Sequence, residues 1–151
     1  MGQQQLLLIV LGVIIVGIAI AVGISMFKSN AQSSNRDQVI NDLNNLGAKA
    51  QQYFRKPTSM AGGGQSFVNF GVPPTYSGLS STDTSNANGR YAVLAAAGTP
   101  TFPFTGSSAG ATVADSVLIV GVGTEKGNDG TNPVQAYVAV TSSGMITHVQ
   151  N

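Results

Sequence analysis

The sequence lacks cysteine, and this absence excludes several kinds of chemistry. Without a thiol the chain can hold no disulfide, no thiolate metal site, no iron–sulfur cluster and no covalently attached c-type haem. Histidine is almost as scarce, because His148 is the only one in 151 residues. A multi-histidine metal site is therefore excluded too. Ser and Thr are plentiful, but a hydroxyl nucleophile needs an activating base. We therefore expect no enzyme activity and no cofactor.

Charge is the second scarcity. Charged residues make up 9% of the chain, whereas soluble domains usually have about 25%. The net charge of +1 is not that of a strongly basic nucleic-acid binder, so we expect no nucleic-acid partner. The charges are also unevenly placed. Residues 1–27 hold none, residues 28–57 are mildly basic, and residues 58–151 are weakly acidic. These three segments are the predicted organisation of the chain.

The first segment is dominated by a long apolar run. Residues 6–27 contain Ser25 as their one polar side chain. As a helix this run would be about 33 Å long, enough to cross the roughly 30 Å hydrocarbon core of a bilayer. It is too long for a secretory signal peptide, and it lacks the basic start and the nearby cleavage site. We predict that residues 1–27 form a transmembrane or filament-core helix.

Small residues interrupt the apolar run. Gly12, Gly17 and Gly23 would let helix backbones approach closely, although each weakens a helix by roughly 1 kcal/mol relative to Ala. An anchor that works alone needs no such positions, and ordinary transmembrane glycines are the alternative interpretation. Lys28 and Arg36 follow the run and no basic residue precedes it. This charge bias would place the C-terminal part in the cytoplasm unless a basic leader precedes the sequence, so the orientation stays open.

An amphipathic pattern continues the apolar run. Apolar residues recur every three or four positions, as on one face of a helix. We predict that these residues form the core against the C-terminal part: Val39, Leu43, Leu46 and Tyr53. Gly47 is a weak point of this helix, and Pro57 ends it. Because no proline lies between residues 1 and 56, one long helix over about residues 3–55 is allowed.

After Pro57 the pattern changes to short strands rich in Val, Ile and Tyr. The predicted strands are residues 66–70, 91–97, 116–122, 134–140 and 145–149. Since they are close in sequence, we expect an antiparallel meander and an α+β fold. Leu118 with Val120, and Val138 with Val140, are same-face pairs that we expect to cover the helix. The remaining Ser/Thr-rich segments, residues 75–88 and 99–112, are predicted surface loops that could carry O-linked glycans.

Two polar candidates lie in the C-terminal part. Glu125, Asn128 and Asp129 lie in a glycine-rich loop, where oxygen side chains can bind Ca²⁺. Their spacing lacks the EF-hand pattern, and Asp129-Gly130 makes a good hairpin turn by itself, so a turn is the favoured interpretation. His148 has no partner pattern, and we predict a strand residue near a sheet edge.

This order of segments resembles the bacterial type IV pilins and pseudopilins. The resemblance is architectural and covers the whole chain: a polar start, an uncharged apolar helix, its amphipathic extension and a small antiparallel sheet. Family members usually carry Glu at the fifth position of the mature chain. Counted from Met1 that position is Gln5 here; if Gly2 is the cleavage glycine, it is Leu7. The family's usual proline in the apolar helix is missing, with Gly23 near that place, and the usual C-terminal cysteine pair is absent.

The resemblance implies a structural protein, the repeating subunit of an extracellular helical filament on the cell surface. Before assembly the subunits would lie in the inner membrane, and pilus assembly machinery would then assemble them into a homopolymer. Their apolar helices would pack along the filament axis, with Gln5, Gly12, Gly17 and Gly23 in the polymer contact. Adhesion, motility and surface colonisation are all roles of such filaments. Two alternatives stay open: a non-polymerising pseudopilin-like part of a secretion machine, and a single-span membrane protein whose outer domain binds a ligand.

Overall fold

The computed structural model of this protein describes residues 2–71, 77–78, 84–94, 98, 100–101 and 110–151. It joins one long helix to an antiparallel sheet, which confirms the expected α+β fold. Helix α1 (Gly2–Arg55) runs unbroken for 54 residues, about 80 Å at 1.5 Å per residue. It stops before Pro57, whose ring cannot continue a helix, and a single 3₁₀ turn, Thr58–Met60, follows.

The strands form two sheets in the described part of the chain. They are β1 (Phe70–Gly71), β2 (Ser77–Gly78), β3 (Gly89–Leu94), β4 (Ser116–Lys126), β5 (Pro133–Thr141) and β6 (Met145–Val149). β1 and β2 make a short parallel pair. The other four strands lie in the order β3-β4-β5-β6, and every neighbouring pair is antiparallel. The predicted meander is therefore confirmed.

The strand predicted at residues 66–70 is wrong except for its last residue. Asn69 has a φ of 64°, a left-handed conformation that a strand does not contain. The Phe70 N–H donates to the Phe67 carbonyl at 2.9 Å and closes a turn. Both phenylalanines are fully buried. The apolar spacing at this point therefore comes from a turn that buries two rings on the same core.

The C-terminal part of α1 covers one face of the four-stranded sheet. The predicted stripe residues are all buried there: Val39, Leu43, Leu46 and Tyr53. Val138 and Val140 lie in the same core, as expected. Leu118 and Val120 do not; they pack on the opposite face of the sheet.

The face assignment of β4 was wrong because its apolar run is continuous. Val117 pairs with Val140, and Ile119 pairs with Val138, and directly opposite residues share a face. The odd-numbered residues of β4 therefore face the helix. Residues 116–122 are buried or half-buried on both faces, so alternation of hydropathy could not identify the helix side.

Three glycines allow the helix to lie close to the sheet. A Cβ added at Gly47 would be 3.1 Å from the Met145 sulfur, and one at Gly121 would be 3.0 Å from Val39 Cγ1. A Cβ at Gly123 would clash with the Asn35 amide oxygen. Gly47 is therefore a close-packing position of the interface between α1 and β6, in addition to its cost in helix propensity.

Most of the two predicted glycan-bearing loops, residues 75–88 and 99–112, lies outside the described residues. The same is true of the last three positions of the strand predicted at 91–97, of which β3 is the described part.

Candidate functional site

The surroundings divide α1 into two parts. We call residues 2–27 the free half and residues 28–55 the packed half. The large apolar side chains of the free half are 48–79% exposed, the extremes being Val10 and Phe27. Soluble monomers rarely expose apolar patches beyond a few hundred Å². A helix that is apolar all round needs lipid or other helices around it, so the free half is the main candidate for a functional surface.

The residues predicted for a polymer contact all lie on the free half. Gln5 is exposed, and a Cβ added at Gly12, Gly17 or Gly23 would meet no atom within 4 Å. These glycines therefore serve no packing purpose within the described part of the molecule. Each leaves a small indentation along the apolar surface, where another backbone could approach.

Asn35 fixes the helix to the sheet just beyond the free half. It is buried at a stripe position, one turn before Val39. Its Nδ2 donates to the Asn88 carbonyl at 2.8 Å and to Thr124 Oγ1 at 3.2 Å. Its Oδ1 accepts the Glu125 backbone N–H at 3.3 Å. Both ends of one amide are thus used to hold the β3–β4 end of the sheet against the helix.

Asp42 makes a second polar attachment two turns further along. One carboxylate oxygen accepts the Tyr91 hydroxyl at 2.6 Å, Asn86 Nδ2 at 2.8 Å and Asn88 Nδ2 at 3.1 Å. Burial alone would raise the Asp42 pKa, but these three donors outweigh it and lower the pKa below its ordinary value of 3.8. Burial, and then the bond to Asp42, raises the Tyr91 pKa well above its usual range. The pair is therefore a carboxylate and a neutral phenol at neutral pH.

Further side-chain bonds continue this attachment along the packed half. Thr147 Oγ1 of β6 donates to Asn44 Oδ1 at 2.7 Å. The Tyr53 hydroxyl donates to the Val68 carbonyl at 3.1 Å. Together with the core, these bonds hold the helix at several points along the sheet. Because α1 is continuous, the free half directly extends the packed half, which is fixed to the sheet.

The sequence pattern missed both Asn35 and Asp42. Asn35 did carry a signal: a polar residue occupies a position four residues before Val39, on the buried stripe. A polar side chain at such a position must find hydrogen-bond partners. The partners of Asp42 come from β3 and the residues just before it, which no local pattern connects to the helix.

The loop proposed as a calcium candidate uses its acid to build a turn. The Asp129 carboxylate accepts Asn132 Nδ2 at 2.6 Å and the backbone N–H groups of Thr131 and Asn132, each at 3.0 Å. The Asn132 side chain first, and then these backbone donors, lower the Asp129 pKa. Glu125 contributes its backbone N–H to Asn35. Among the described residues, no three His, Asp or Glu side chains are grouped to hold a metal ion.

His148 lies on β6, at an edge of the sheet. Its ring stacks on Tyr137 of β5, with centroids 4.8 Å apart and an interplanar angle of 18°. Directly opposite residues on neighbouring strands form such pairs. The His148 imidazole therefore has a structural role, because it covers the Tyr137 ring on the outer face of the sheet.

The free half is long and apolar enough to cross a membrane by length and composition. Comparison with protein-family models, with curated proteins and with solved structures gives no match for this chain. The arrangement itself, a long apolar N-terminal helix that continues onto a small antiparallel sheet, is compatible with a pilin-like fold and with membrane anchoring.

Proposed function

We propose that this protein is the structural subunit of an extracellular helical filament and that it polymerises through the free half of α1. The observation that carries the proposal is the combination of full exposure with rigid attachment. All large apolar side chains of the free half are exposed and the segment is uncharged, and it continues without a break into the packed half. Packing free halves together would bury their apolar surface and would place each sheet at a defined position around them.

Rigid attachment favours this proposal over a simple membrane anchor. A binding domain tethered to a bilayer needs only a span and a linker, and linkers are usually rich in Gly, Ser or Pro. Here the span and the sheet share one helix, and Asn35 is bonded to the sheet only two turns after Phe27. Such coupling is useful when the position of the sheet must follow the position of the helix, as in an ordered polymer.

On this proposal the subunit occupies two environments in turn, the membrane and the filament. Before assembly the free half crosses the inner membrane, where a helix that is apolar all round is stable. Pilus assembly machinery then moves it into the filament, where identical helices replace the lipid. Gly12, Gly17 and Gly23 allow close helix contacts in both settings. The sheets form the outer wall, and the partners are other copies of the same chain.

Electron microscopy of material sheared from cells that make the protein tests the proposal. We expect filaments composed of this chain. In Gly17→Leu, the larger side chain should block close helix contacts and strongly reduce filament yield, because on this proposal a neighbouring helix occupies the space that is free around Gly17 in the single subunit. Ile14→Leu is the matched control, since it keeps volume and hydropathy at an exposed position, and it should assemble normally.

Two results would contradict the proposal at different levels. Sheared material without a filament of this chain would overturn the function and favour the secretion-machine or membrane-anchor alternative. Gly17→Leu filaments of normal yield and helical parameters would show that Gly17 lies outside the polymer contact, while leaving the filament itself in place.

Gln5 belongs to the same proposed contact. In a filament the polar start of each helix, Gln3 to Gln5, enters an apolar bundle, and an unsatisfied amide there costs about 1–3 kcal/mol. These amides can bond to free helix N–H groups or to each other across copies. Because residues 2–27 hold no titratable side chain, assembly should tolerate a wide pH range. Replacement of all three glutamines by Leu should alter yield or helical parameters; unchanged filaments would remove Gln5 from the contact.

A further inference from the structure

Among the described residues, the outer side of β6 is an open edge of the four-stranded sheet. β6 is the last strand in the order β3-β4-β5-β6 and pairs only with β5 among the described residues. The apolar side chains along it are exposed: 42% for Met145, 64% for Ile146 and 45% for Val149. An exposed edge presents unpaired N–H and C=O groups that can pair with another strand.

The pairing with β5 shows which groups point outward. The Thr141 N–H donates to the Gly144 carbonyl at 2.7 Å, and the Gln150 N–H donates to the Gln135 carbonyl at 2.9 Å. In an antiparallel ladder, residues alternate between bonding toward the partner and pointing away from it. Because residues 144 and 150 bond toward β5, so do Ile146 and His148. The outward N–H and C=O groups are therefore those of residues 145, 147 and 149.

The opposite edge of the sheet is already paired along the first half of β3. Gly89 of β3 accepts the Asn86 N–H at 3.0 Å through its carbonyl, and the Tyr91 N–H donates to the Thr84 carbonyl at 2.8 Å. β3 also carries a charged side chain, Arg90, as its second residue. The first half of the β3 edge is thus paired with the chain's own backbone, so β6 of a second copy cannot pair with it there.

β6 lacks the features that usually keep an edge strand from pairing. Natural edges are protected by Lys or other charges, by Pro, by bulges or by a covering segment. Residues 142–151 contain no Lys, Arg, Asp, Glu or Pro. The ladder with β5 runs through five consecutive residues without a register shift. The strand is therefore regular and exposed, and it is free of Lys, Arg, Asp and Glu.

We propose that the open edge of β6 pairs antiparallel with β6 of a second copy, centred on Thr147. This register places Thr147 opposite Thr147, and Met145 opposite Val149 in both directions. All of these residues have outward backbone groups, so each pair exchanges two N–H···O bonds. A contact between two copies of one surface must be self-complementary. The two-fold arrangement meets this requirement, because it pairs apolar Met145 with apolar Val149 on both sides of Thr147.

The side chains of this register also match. Ile146 of one copy lies opposite His148 of the other, on the face where the His148 ring already stacks on Tyr137. Non-hydrogen-bonded pairs bring side chains closest together, so the most exposed apolar residue of the edge would be covered by an aromatic ring. No Lys, Arg, Asp or Glu side chain is buried in the contact, since neither strand contains one.

The symmetry of the contact decides where it can form. Antiparallel strands that continue one sheet are related by a two-fold axis perpendicular to the sheet, and such an axis reverses every direction in the sheet plane. The packed half of α1 lies across the sheet, so the two free halves point in opposite directions. The paired copies therefore cannot share one membrane or one polar filament. On the proposed function, the contact joins subunits of neighbouring filaments that run in opposite directions.

The absence of native cysteine gives a direct test on the full chain. Ile146→Cys and His148→Cys are prepared separately in detergent, then oxidised alone or as an equal mixture. In the proposed register residues 146 and 148 are directly opposite, about 4.5 Å apart at Cα, which permits a disulfide. Two copies of the same variant place their cysteines diagonally, about 7–8 Å apart. The mixture should therefore give several-fold more covalent dimer than either variant alone.

Thr147→Pro provides the second arm. It removes an N–H that points away from β5, a position where an edge strand tolerates Pro, and it should abolish the excess cross-linking. Thr147→Val keeps the N–H and should retain it. Circular dichroism should show an intact sheet in both variants. Dimer yields in the mixture no higher than in the single variants, or equal cross-linking with Pro and Val at position 147, would overturn the proposal.

These assays need no filament, so they separate this proposal from the proposed function. Absence of filaments from sheared material would leave the cross-linking result to decide on the β6 contact. Where filaments form, wild-type material should show side-by-side bundles that Thr147→Pro disperses and Thr147→Val does not. Bundles that persist with Pro at position 147 would count against the β6 contact.

Discussion

The two halves of α1 share one backbone and have opposite surroundings. In the packed half the apolar face is covered by the chain's own sheet, and Val39 and Leu43 have no exposed surface. In the free half the apolar surface runs all round the helix, and Leu6 is 65% exposed. The packed half therefore obtains its stability from within the molecule. The free half depends on lipid or on other helices, which is why we propose it as the functional surface.

Glycine shows the same contrast on a smaller scale. Gly47 and Gly123 in the folded part have neighbours where a Cβ would lie, whereas Gly12, Gly17 and Gly23 have none within 4 Å. A glycine that fits a neighbour within the chain is explained by the fold. A glycine with free space around it costs helix stability without return in the isolated subunit, which supports the proposed contact with other helices.

Deletion of residues 1–28, which removes the whole free half, should have the largest effect of the changes considered. The buried core draws its helix residues from position 39 onward, so the shortened chain should fold as a monomer with its sheet and should form no filament. Size-exclusion chromatography, circular dichroism and electron microscopy measure these properties. Filaments made by the shortened chain would show that the free half is not the polymer contact.

Matched truncations in the two halves should differ by several kcal/mol. Leu43→Ala should lower the free energy of unfolding by about 2–5 kcal/mol, the usual range for a buried Leu, since Leu43 is fully buried. Ile14→Ala removes apolar volume from a side chain that is 53% exposed and should change it by less than about 0.5 kcal/mol. Denaturant unfolding in detergent, followed through the sheet signal, compares the two. Equal costs would mean that the two halves are not energetically distinct.

The sequence predicted the backbone of both halves well for a physical reason. A run without Pro and with an apolar period of three to four residues permits one helix, and Pro57 prevents its continuation. The stripe from Val39 to Tyr53 is buried as its spacing requires. The strands β4, β5 and β6 are separated by short turns, so their pairing is local. These features are encoded within a few residues of each other.

The sequence did not predict two features: which face of the sheet each β4 residue occupies, and the hydrogen bonds between residues far apart in the chain. Leu118 and Val120 were assigned to the wrong face because β4 is apolar on both sides, and only its register with β5 decides the question. The bonds of Asn35 join residues 53 to 90 positions apart. A hydrogen bond has no hydropathy period, so patterns could not locate it.

Substitution by alanine should lower stability at a glycine that contacts its own chain and should not lower it at a glycine of the free half. A Cβ in Gly123→Ala would displace the Asn35 amide, and leaving that buried group without partners costs about 1–3 kcal/mol. Gly17→Ala meets no atom of its own chain and favours the helix by about 1 kcal/mol. Thermal unfolding in detergent should therefore show a loss for Gly123→Ala and no loss for Gly17→Ala. Normal stability of Gly123→Ala would show that Asn35 does not hold the helix to the sheet.

Lowering the pH should have the smallest effect. It should weaken only the packed half, by the free energy of one hydrogen bond, about 1 kcal/mol. The Asp42 pKa is below its ordinary value of 3.8, because the donors Tyr91, Asn88 and Asn86 outweigh the effect of burial. The unfolded chain therefore binds the proton more readily than the folded one. The contribution of Asp42 is complete above about pH 4 and is lost as the pH falls through the lower folded pKa.

Asp42→Asn is the control that isolates this contribution, since it keeps the shape and an acceptor for Tyr91 without a group that titrates. The difference in unfolding free energy between wild type and Asp42→Asn should shrink as the pH falls from 5 to about 2. Asp129, whose pKa is also lowered, is present in both proteins and cancels from the difference. Filament contacts should not follow this curve, because residues 2–27 contain no titratable side chain. A constant difference across the range would mean that the ionised Asp42 does not stabilise the packed half, and the attachment would then rest on Asn35 and the apolar core.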